Sequence, residues 1–419
     1  MTEKSAPRRW LAIVGIGEDG ADGLSPVARN LVAGAEIVFG GKRHLALAGA
    51  LIRGEARAWP SPFERGVDDA LAARGKDVCV LASGDPFQHG VGAVLARRVD
   101  PAEMLVVPAP SAFSLAAARL GWSLADCGLV SLHGRALDLV RPHLHPGARV
   151  LALTSDGDGP AALARLVAEA GFGETCVTVL EALGGPRERI RAATAAHFDL
   201  DTIDPLNVIA LEVVAAPGAR IIARAPGLAD ELFEHDGQIT KREIRAVTLS
   251  ALAPRRGEIL WDIGAGAGSV AIEWMLADPA VRAVAIEART DRAARIVRNA
   301  AALGVPGLEV VCGMALDVLQ ARPPAQGPTR TAPDAIFIGG GCDDAVLDAA
   351  IDALHPGGRL VVNAVTIETE ARLIARHAAR GGTLTRIAIE RAEPLGGMTA
   401  WRPALPVTQW CWTKPEPAS

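Results

Sequence analysis

The chain contains no tyrosine, which excludes any mechanism that needs a phenol as acid, base or nucleophile. Its aromatics are eight Trp and eight Phe, 4% of the sequence, too few to predict a face that stacks nucleic-acid bases. Lysine is scarce, five against 38 Arg; with abundant Ala and Gly, this reads first as compositional bias. Six cysteines, at 79, 127, 176, 312, 342 and 411, form no C-x-x-C pair. That argues against a zinc ribbon or a thioredoxin-like site. It predicts reduced thiols in a cytoplasmic protein, mostly packed as small core residues, and no metal site. A net charge of −5 offers no basic field for nucleic acid. Long apolar runs are missing too. The opening LAIV stops at Gly15, too short for a signal peptide. The richest window, Leu206 to Ala223, is broken by Asn207, Glu212 and Arg220. Nothing approaches the roughly 18 apolar residues of a membrane span, so no membrane partner is expected.

What is present is ordinary globular material. The 419 residues are 50% hydrophobic and 22% charged, enough for two to three domains of about 150 residues. Apolar strand-like runs alternate with Ala/Leu-rich amphipathic helices, which predicts parallel α/β sheets. Two segments open alike, with a strand entering a Gly-rich turn and then a helix: WLAIVGIGEDG at 10–20 and EILWDIGAGAGSVAIEW at 258–274. Each heads its own sheet, giving one domain over 1–215 and another over 235–419. The Pro- and Gly-containing stretch 216–234 is read as a linker. The first domain divides further into lobes of about 1–122 and 123–215. Strands are predicted at 10–14, 36–39, 78–81 and 104–107, then at 128–132, 149–153, 175–180 and 207–212. A cleft between two lobes is a common ligand site. The second domain carries strands at 258–263, 282–287, 308–311, 334–338 and 359–365. A last pair, 384–390 and 406–412, has only a Gly/Pro-containing loop between its members, which makes it antiparallel.

The second Gly-rich turn reads D-x-G-x-G-x-G, with Asp262, Gly264, Gly266 and Gly268. Glycine permits the tight turn and a close backbone approach to a ligand. The helix that follows offers free N–H groups. Glu287 ends the next strand, where a carboxylate can accept from a ribose diol. These residues fit an adenosine-bearing cofactor. The NAD pattern G-x-G-x-x-G fails, because its third glycine would fall on Ser269 and Asp262 stands where an apolar residue is usual. A NAD-dependent dehydrogenase stays as an alternative on these grounds only.

Acidic residue, G-x-G-x-G and a late antiparallel strand pair resemble the class I S-adenosylmethionine methyltransferases over about 235–415. The resemblance implies that Asp262, Gly264, Gly266, Gly268 and Glu287 bind the cofactor. It implies an adenine contact from Gly313, Met314 and Ala315, and a substrate side at Gly339 and Gly340 of IFIGGGCD. The (N/D)PPY-type loop of amino methyltransferases is replaced by GGGCD, so an exocyclic amine is not the expected target. HDGQITKREIRAVTLSAL at 235–252 starts a helix with Thr240 as N-cap and Glu243 three residues on, as in a capping box. G-x-I-T-K-x-E-I-R followed by D-I-G-A-G-x-G-S-V-x-I-E closely resembles the decarboxylating precorrin C15-methyltransferase domains of cobalamin biosynthesis. Thr240, Lys241 and Arg245 are the candidate substrate contacts there.

The first Gly-rich turn lacks G-x-x-x-x-G-K-[ST], so it is not a P-loop. VGIG, the L-S-P-x-A helix, and S-G-D-P followed by Gly90 resemble the tetrapyrrole methylase family over about 8–215. In that fold two lobes hold S-adenosylmethionine between them, implying cofactor contacts from Gly15, Gly17, Ser83, Gly84, Asp85, Pro86 and Ser111. Glu18 stands where relatives often have Pro, and P-A-P-S-A at 108–112 replaces a P-G-x-S-S pattern. SLHGR at 131–135 resembles the second-lobe entry of corrin-pathway members, making His133 a candidate substrate contact.

A tetrapyrrole methylase joined to this class I domain resembles the decarboxylating precorrin C5,15-methyltransferase family. The resemblance implies an α/β protein with two folds: an N-terminal two-lobed tetrapyrrole methylase and a C-terminal Rossmann-like sheet of seven strands. It implies two S-adenosylmethionine sites, methylation of precorrin-6B at C5 by the first half and at C15 by the second, and loss of the ring C acetate carboxylate. The partners expected are the small-molecule tetrapyrrole and further copies of the chain, with no nucleic acid. No nucleophilic triad is found and no catalytic residue is singled out. A many-carboxylate substrate calls for cations in both clefts, with Lys42, Arg43, Arg135, Lys241 and Arg245 as candidates. A methyltransferase of another substrate, such as nucleic acid, is the second alternative; the acidic balance and the lack of Tyr argue against it.

Overall fold

Val-, Ile- and Leu-rich runs bounded by Gly, Asp and Pro form the buried strands of three sheets. The computed structural model describes residues 8–321, 332–340 and 342–416. The chain divides into two units, one built from the chain up to Leu137 with His145–Ala219, the other from Asp138–Leu144 with Arg220 onward.

In the first unit, β1 (Leu11–Ile16), β2 (Ile37–Gly40), β3 (Glu55–Ala58), β4 (Val78–Ser83) and β5 (Met104–Val107) make a parallel sheet in the order β3-β2-β4-β1-β5. All six residues of β1 are buried, so both faces of the central strand are covered, as a parallel sheet requires. The register sets Ile16 beside Ser83, so the loops that leave β1 and β4 emerge side by side. The second sheet contains β6 (Cys127–Ser131), β7 (Arg149–Leu153), β8 (Cys176–Glu181), β9 (Arg189–Thr194) and β10 (Asn207–Glu212), in the order β6-β7-β10-β8-β9. Here the expected parallel sheet is corrected. Only β6 and β7 pair in parallel; β10 runs antiparallel to β7 and β8, and β8 to β9. The turn from Glu181 to Arg189 is too short for a crossover helix, so β9 must return as a hairpin strand. β3 (EARA) and β9 (RIRAAT) escape the sequence reading because they are sheet-edge strands whose residues are mostly exposed.

The second unit holds β11 (Ile259–Ile263), β12 (Arg282–Glu287), β13 (Glu309–Cys312), β14 (Ala335–Ile338), β15 (Arg359–Ala364) and β16 (Thr383–Ile387). They are followed by β17 (Glu390–Leu395), β18 (Met398–Pro403) and β19 (Val407–Thr413). The large sheet runs β13-β12-β11-β14-β15-β19-β16, and β19 lies antiparallel to both β15 and β16. The expected strand at 384–390 ends earlier, and the loop after it is itself a hairpin: β17 and β18 pair as a separate two-stranded sheet. Helix Ser269–Ala277 has its first six residues buried, with Trp274 fully enclosed and its indole N–H on the Arg282 carbonyl at 3.0 Å.

The stretch 216–234, expected as a linker, contributes to this core instead. Ile222, Leu228 and Phe233 pack among Leu252, Trp274 and Leu303. One buried ion pair fastens it. Glu273 accepts the N–H groups of Gly227 (2.6 Å) and Leu228 (3.0 Å) and the Nε of Arg245 (2.5 Å). Arg245 is fully buried, donates onward to Leu228 O, Thr240 O and Asp230, and lies 4.8 Å over the Phe233 ring. Removing one partner of such a pair strands the other's charge. Arg245→Ala is therefore expected to lower the unfolding free energy of this unit by about 3–5 kcal/mol, read as the urea midpoint; a loss below ~1 kcal/mol, the scale of an exposed ion pair, contradicts that role.

Candidate functional site

Each unit has a cleft at the ends of its central parallel strands. In the first unit the cleft is about 620 Å³ and is lined from both lobes. Its floor is a backbone contact that only glycine allows: a Cβ on Gly15 would overlap the Gly84 carbonyl oxygen and lie 2.5 Å from Ala109 N. Gly84 has φ +53°, and its own Cβ would lie 2.8 Å from Pro110 O. Gly17, Ser83, Gly84, Asp85 and Ser111 line the cleft. Ser111 caps helix Ala112–Leu120 by accepting the Ser114 N–H at 3.1 Å. Gly15 and Pro86 sit beneath the lining: the Pro86 carbonyl accepts from Gly92 N at 2.9 Å.

Of the candidate substrate contacts in this half, Arg43, His133 and Arg135 line the cleft; Lys42 does not and is exposed. Helix Lys42–Ala48 starts there, and one residue step turns the side chain by about 100°, which separates Lys42 from Arg43 and His44. Arg43 is already engaged: it pairs with Glu18 and donates to His44 Nε2 (2.9 Å) and Ser83 Oγ (2.9 Å). Glu18 also receives Arg187 of the second lobe at 3.3 Å. Burial, and then the Arg43 charge, push His44 down to about 4. His44 and His89, both in the lining, were missed; the GKRH run beside Lys42 and Arg43 was the available signal for the first.

The second unit's cleft is about 390 Å³. Gly264, Gly266 and Gly268 all have positive φ, +69°, +59° and +75°. A Cβ on Gly264 would lie 2.6 Å from Gly340 O, and one on Gly268 2.7 Å from Ile296 Cγ2. Gly264, Gly266, Gly339, Gly340, Thr240 and Lys241 line the cleft. Gly341, the third glycine of that run, lies outside the described residues. Glu287 is buried just behind, its oxygens accepting the N–H groups of Gly266 (2.8 Å) and Arg289 (3.0 Å). Asp262 is buried under the turn. Its Oδ2 accepts from Ala271 N at 3.1 Å, and its Oδ1 has no partner among the described residues. Burial, with the Glu287 charge adding to it, raises the Asp262 carboxyl to about 7.

Two expectations are corrected here. Arg245 faces the core, not the cleft, because its guanidinium is consumed by Glu273, Asp230 and two carbonyls. Thr240 is not the N-cap: helix Arg242–Leu252 is preceded by Lys241 at that position, with no side-chain cap, and Glu243 pairs with Arg391 instead. Gly313, Met314 and Ala315 lie outside the cleft lining, and Met314 is 63% exposed. The hairpin that the sequence reading took for a loop supplies lining residues from its base, Ile389, Arg391, Ala404 and Leu405, as does Asn363 from β15. Among the described residues no His, Cys, Asp and Glu cluster could hold a metal, and no helix is long and apolar enough to cross a membrane.

Two families match these two units. One described as tetrapyrrole (corrin/porphyrin) methylases covers residues 11–199, and one described as precorrin methyltransferase domain covers 231–414. A precorrin-6Y C(5,15)-methyltransferase [decarboxylating] of Sinorhizobium sp. is 61% identical over 406 residues, 97% of this chain and 96% of its own. This chain belongs to that family. A Mycobacterium tuberculosis relative of the same name is 42% identical over 410 residues, 96% of this chain and all of its own. The solved C-terminal domain of precorrin-6Y C5,15-methyltransferase from Rhodobacter capsulatus is 46% identical and covers 46% of this chain and 100% of that one, with a TM-score of 0.43.

In this member of the precorrin C5,15-methyltransferase family, Asp262 makes stability depend on pH. Its folded value, about 7, lies above the ~3.9 of an unfolded aspartate. The native state therefore binds the proton more tightly. The resulting stabilisation is complete below pH ~4 and is lost as the pH rises towards 7. Asp262→Asn is expected to remove that slope, so that the urea midpoint of the wild type falls relative to the variant between pH 5 and pH 8. A constant difference across the range contradicts this account.

Proposed function

We propose that the chain methylates precorrin-6B at C5 and C15 and removes the carboxylate of the ring C acetate, yielding precorrin-8 in cobalamin biosynthesis. The observation that carries the reading is the 61% identity to a decarboxylating C(5,15)-methyltransferase across 97% of the chain, both halves included. S-adenosylmethionine is the methyl donor that such a family uses, and we place one molecule in each cleft. The first cleft methylates C5; the second methylates C15 and decarboxylates. Both glycine contacts fit a cofactor that must lie against bare backbone.

Bound S-adenosylmethionine supplies an electrophilic methyl group. The chain's own residues orient the macrocycle and exclude water, so alignment carries most of the rate. Around the second cleft, Lys241 and Arg391 are placed to meet substrate carboxylates, with Arg391 exchanging its Glu243 partner for one of them. In the first, Arg135 has that role; Arg43 serves to hold Glu18, His44 and Ser83 in place. The working form is proposed to be a cytoplasmic homo-oligomer.

The test is the product mass after incubation with precorrin-6B and S-adenosylmethionine. A gain of two methyl groups with loss of one CO2 is expected. Gly15→Ala, which forces a Cβ into the Gly84 carbonyl, should delete only the C5 methyl. Gly264→Ala should leave the carboxylate on the macrocycle. An unchanged mass, with the cofactor shown to bind by equilibrium dialysis, overturns the substrate and leaves the methyltransferase folds.

A further inference from the structure

Methyl transfer to a bridging carbon that bears hydrogen releases a proton. The carbon–methyl bond forms, and the sulfur–methyl bond breaks with its electron pair passing to sulfur. The carbon–hydrogen pair returns to the macrocycle, so one proton must leave. Taking the first cleft as the C5 site, as proposed above, the question is which group there accepts it.

Of the carboxylates that line this cleft, Glu18 is held by Arg43 and Arg187, and Asp85 accepts the Phe87 N–H at 2.8 Å through one oxygen, Oδ1. Three of the chain's nine histidines line it: His44, His89 and His133. They are not equivalent. An arginine can only donate, so the Arg43 contact claims the lone pair of His44 Nε2. The Nδ1 of His44 then carries the hydrogen, and it is buried without a partner among the described residues. His44 has no accessible basic nitrogen. His89 sits on left-handed backbone, φ +59°, with its ring edge-on to Phe113 at 6.3 Å; no hydrogen bond among the described residues sets its tautomer.

His133 differs from both. Its Nδ1 lies 3.2 Å from the Thr154 carbonyl oxygen. A carbonyl only accepts, so Nδ1 carries the hydrogen and the neutral ring keeps its lone pair on Nε2. The side chain is exposed in the cleft, and Nε2 makes no hydrogen bond to the described residues. The carbonyl that fixes this tautomer is itself fixed. Thr154 is buried, and its hydroxyl donates to Asn207 Oδ1 at 2.6 Å. The Asn207 amide in turn donates to the carbonyls of Asp156 and Asp204, both at 2.9 Å. Gly134 N donates to Ser155 Oγ at 2.8 Å, holding the next residue of the loop.

We propose that His133 Nε2 accepts the proton released on C5 methylation, with the Thr154 carbonyl setting the tautomer that frees it. The experiment uses the full chain with precorrin-6B and S-adenosylmethionine, reading each methylation separately by mass in single-turnover time courses. His133→Ala and His133→Gln are expected to decarboxylate and methylate C15 as the wild type does. Their C5 step should slow by about 100- to 10,000-fold at saturating substrate. Cofactor affinity should be unchanged by equilibrium dialysis, and added imidazole should restore part of the C5 rate in His133→Ala alone. A wild-type C5 rate in either variant overturns the proposal. So does a rise in KM with no change at saturation and no imidazole rescue, which would mark His133 as a substrate contact only. If the wild type itself adds no methyl group to precorrin-6B, the substrate reading fails first and this proposal falls with it; two methyl groups from both variants as from the wild type removes this proposal alone.

Discussion

Both clefts depend on one constraint: backbone pressed against backbone where no side chain fits. In the first unit, β1 and β4 are neighbours in register, so the end of β1 meets the loop leaving β4, and Gly15 lies against the carbonyl of Gly84. In the second, β11 and β14 are neighbours, and Gly264 meets the carbonyl of Gly340. The two folds differ in strand order. The shared feature follows from physics rather than from topology. Parallel strands end at the same level, their loops converge, and a ligand can reach exposed N–H groups only if the convergence point carries no Cβ.

Charge is used inside this protein before it is used on a ligand. Arg245 binds the 220–233 stretch to the core through Glu273, and Arg189 and Arg191 converge on the buried Glu181. Arg359 closes on Glu258 and two helix-end carbonyls. A guanidinium offers several donors in a fixed fork and can satisfy many acceptors at once. In a chain with 38 Arg and five Lys, many arginines are therefore structural, and a positive residue near a motif is weak evidence of ligand contact.

That explains how far the sequence could be read. The apolar runs β1, β4, β11, β12 and β14 are legible because burial on both faces demands continuous Val, Ile and Leu. The glycine turns are legible because their conformations exclude other residues. Edge strands β3 and β9 leave no such trace, since their side chains are largely solvated. The β17–β18 hairpin is hidden for the same reason: Leu395, Met398 and Trp401 are 66%, 77% and 71% exposed, so no alternation between core and solvent marks it. Helix phase is the other hidden quantity. Lys42 and Arg43 are neighbours in sequence, yet only Arg43 lines the cleft. Arg245, three positions past Arg242 in a helix that starts one residue later than its sequence implies, turns inward.

The two clefts also differ in how they can handle protons, and the difference matches the chemistry proposed for each. Methylation of C15 releases one proton. Loss of CO2 from the neighbouring acetate leaves a carbanion that takes one up. The second site is thus balanced within a single turnover and needs no net acceptor. Its described lining contains no histidine and one carboxylate, Glu243, held by Arg391. Methylation of C5 has no such compensation, and each turnover leaves a proton to be carried away. Three histidines line that cleft, and among the described residues only His133 has a carbonyl at Nδ1 that, in the neutral ring, leaves the lone pair on Nε2. On this argument the placement of histidine, more than that of arginine, distinguishes a site that only transfers a methyl group from one that pairs the transfer with decarboxylation.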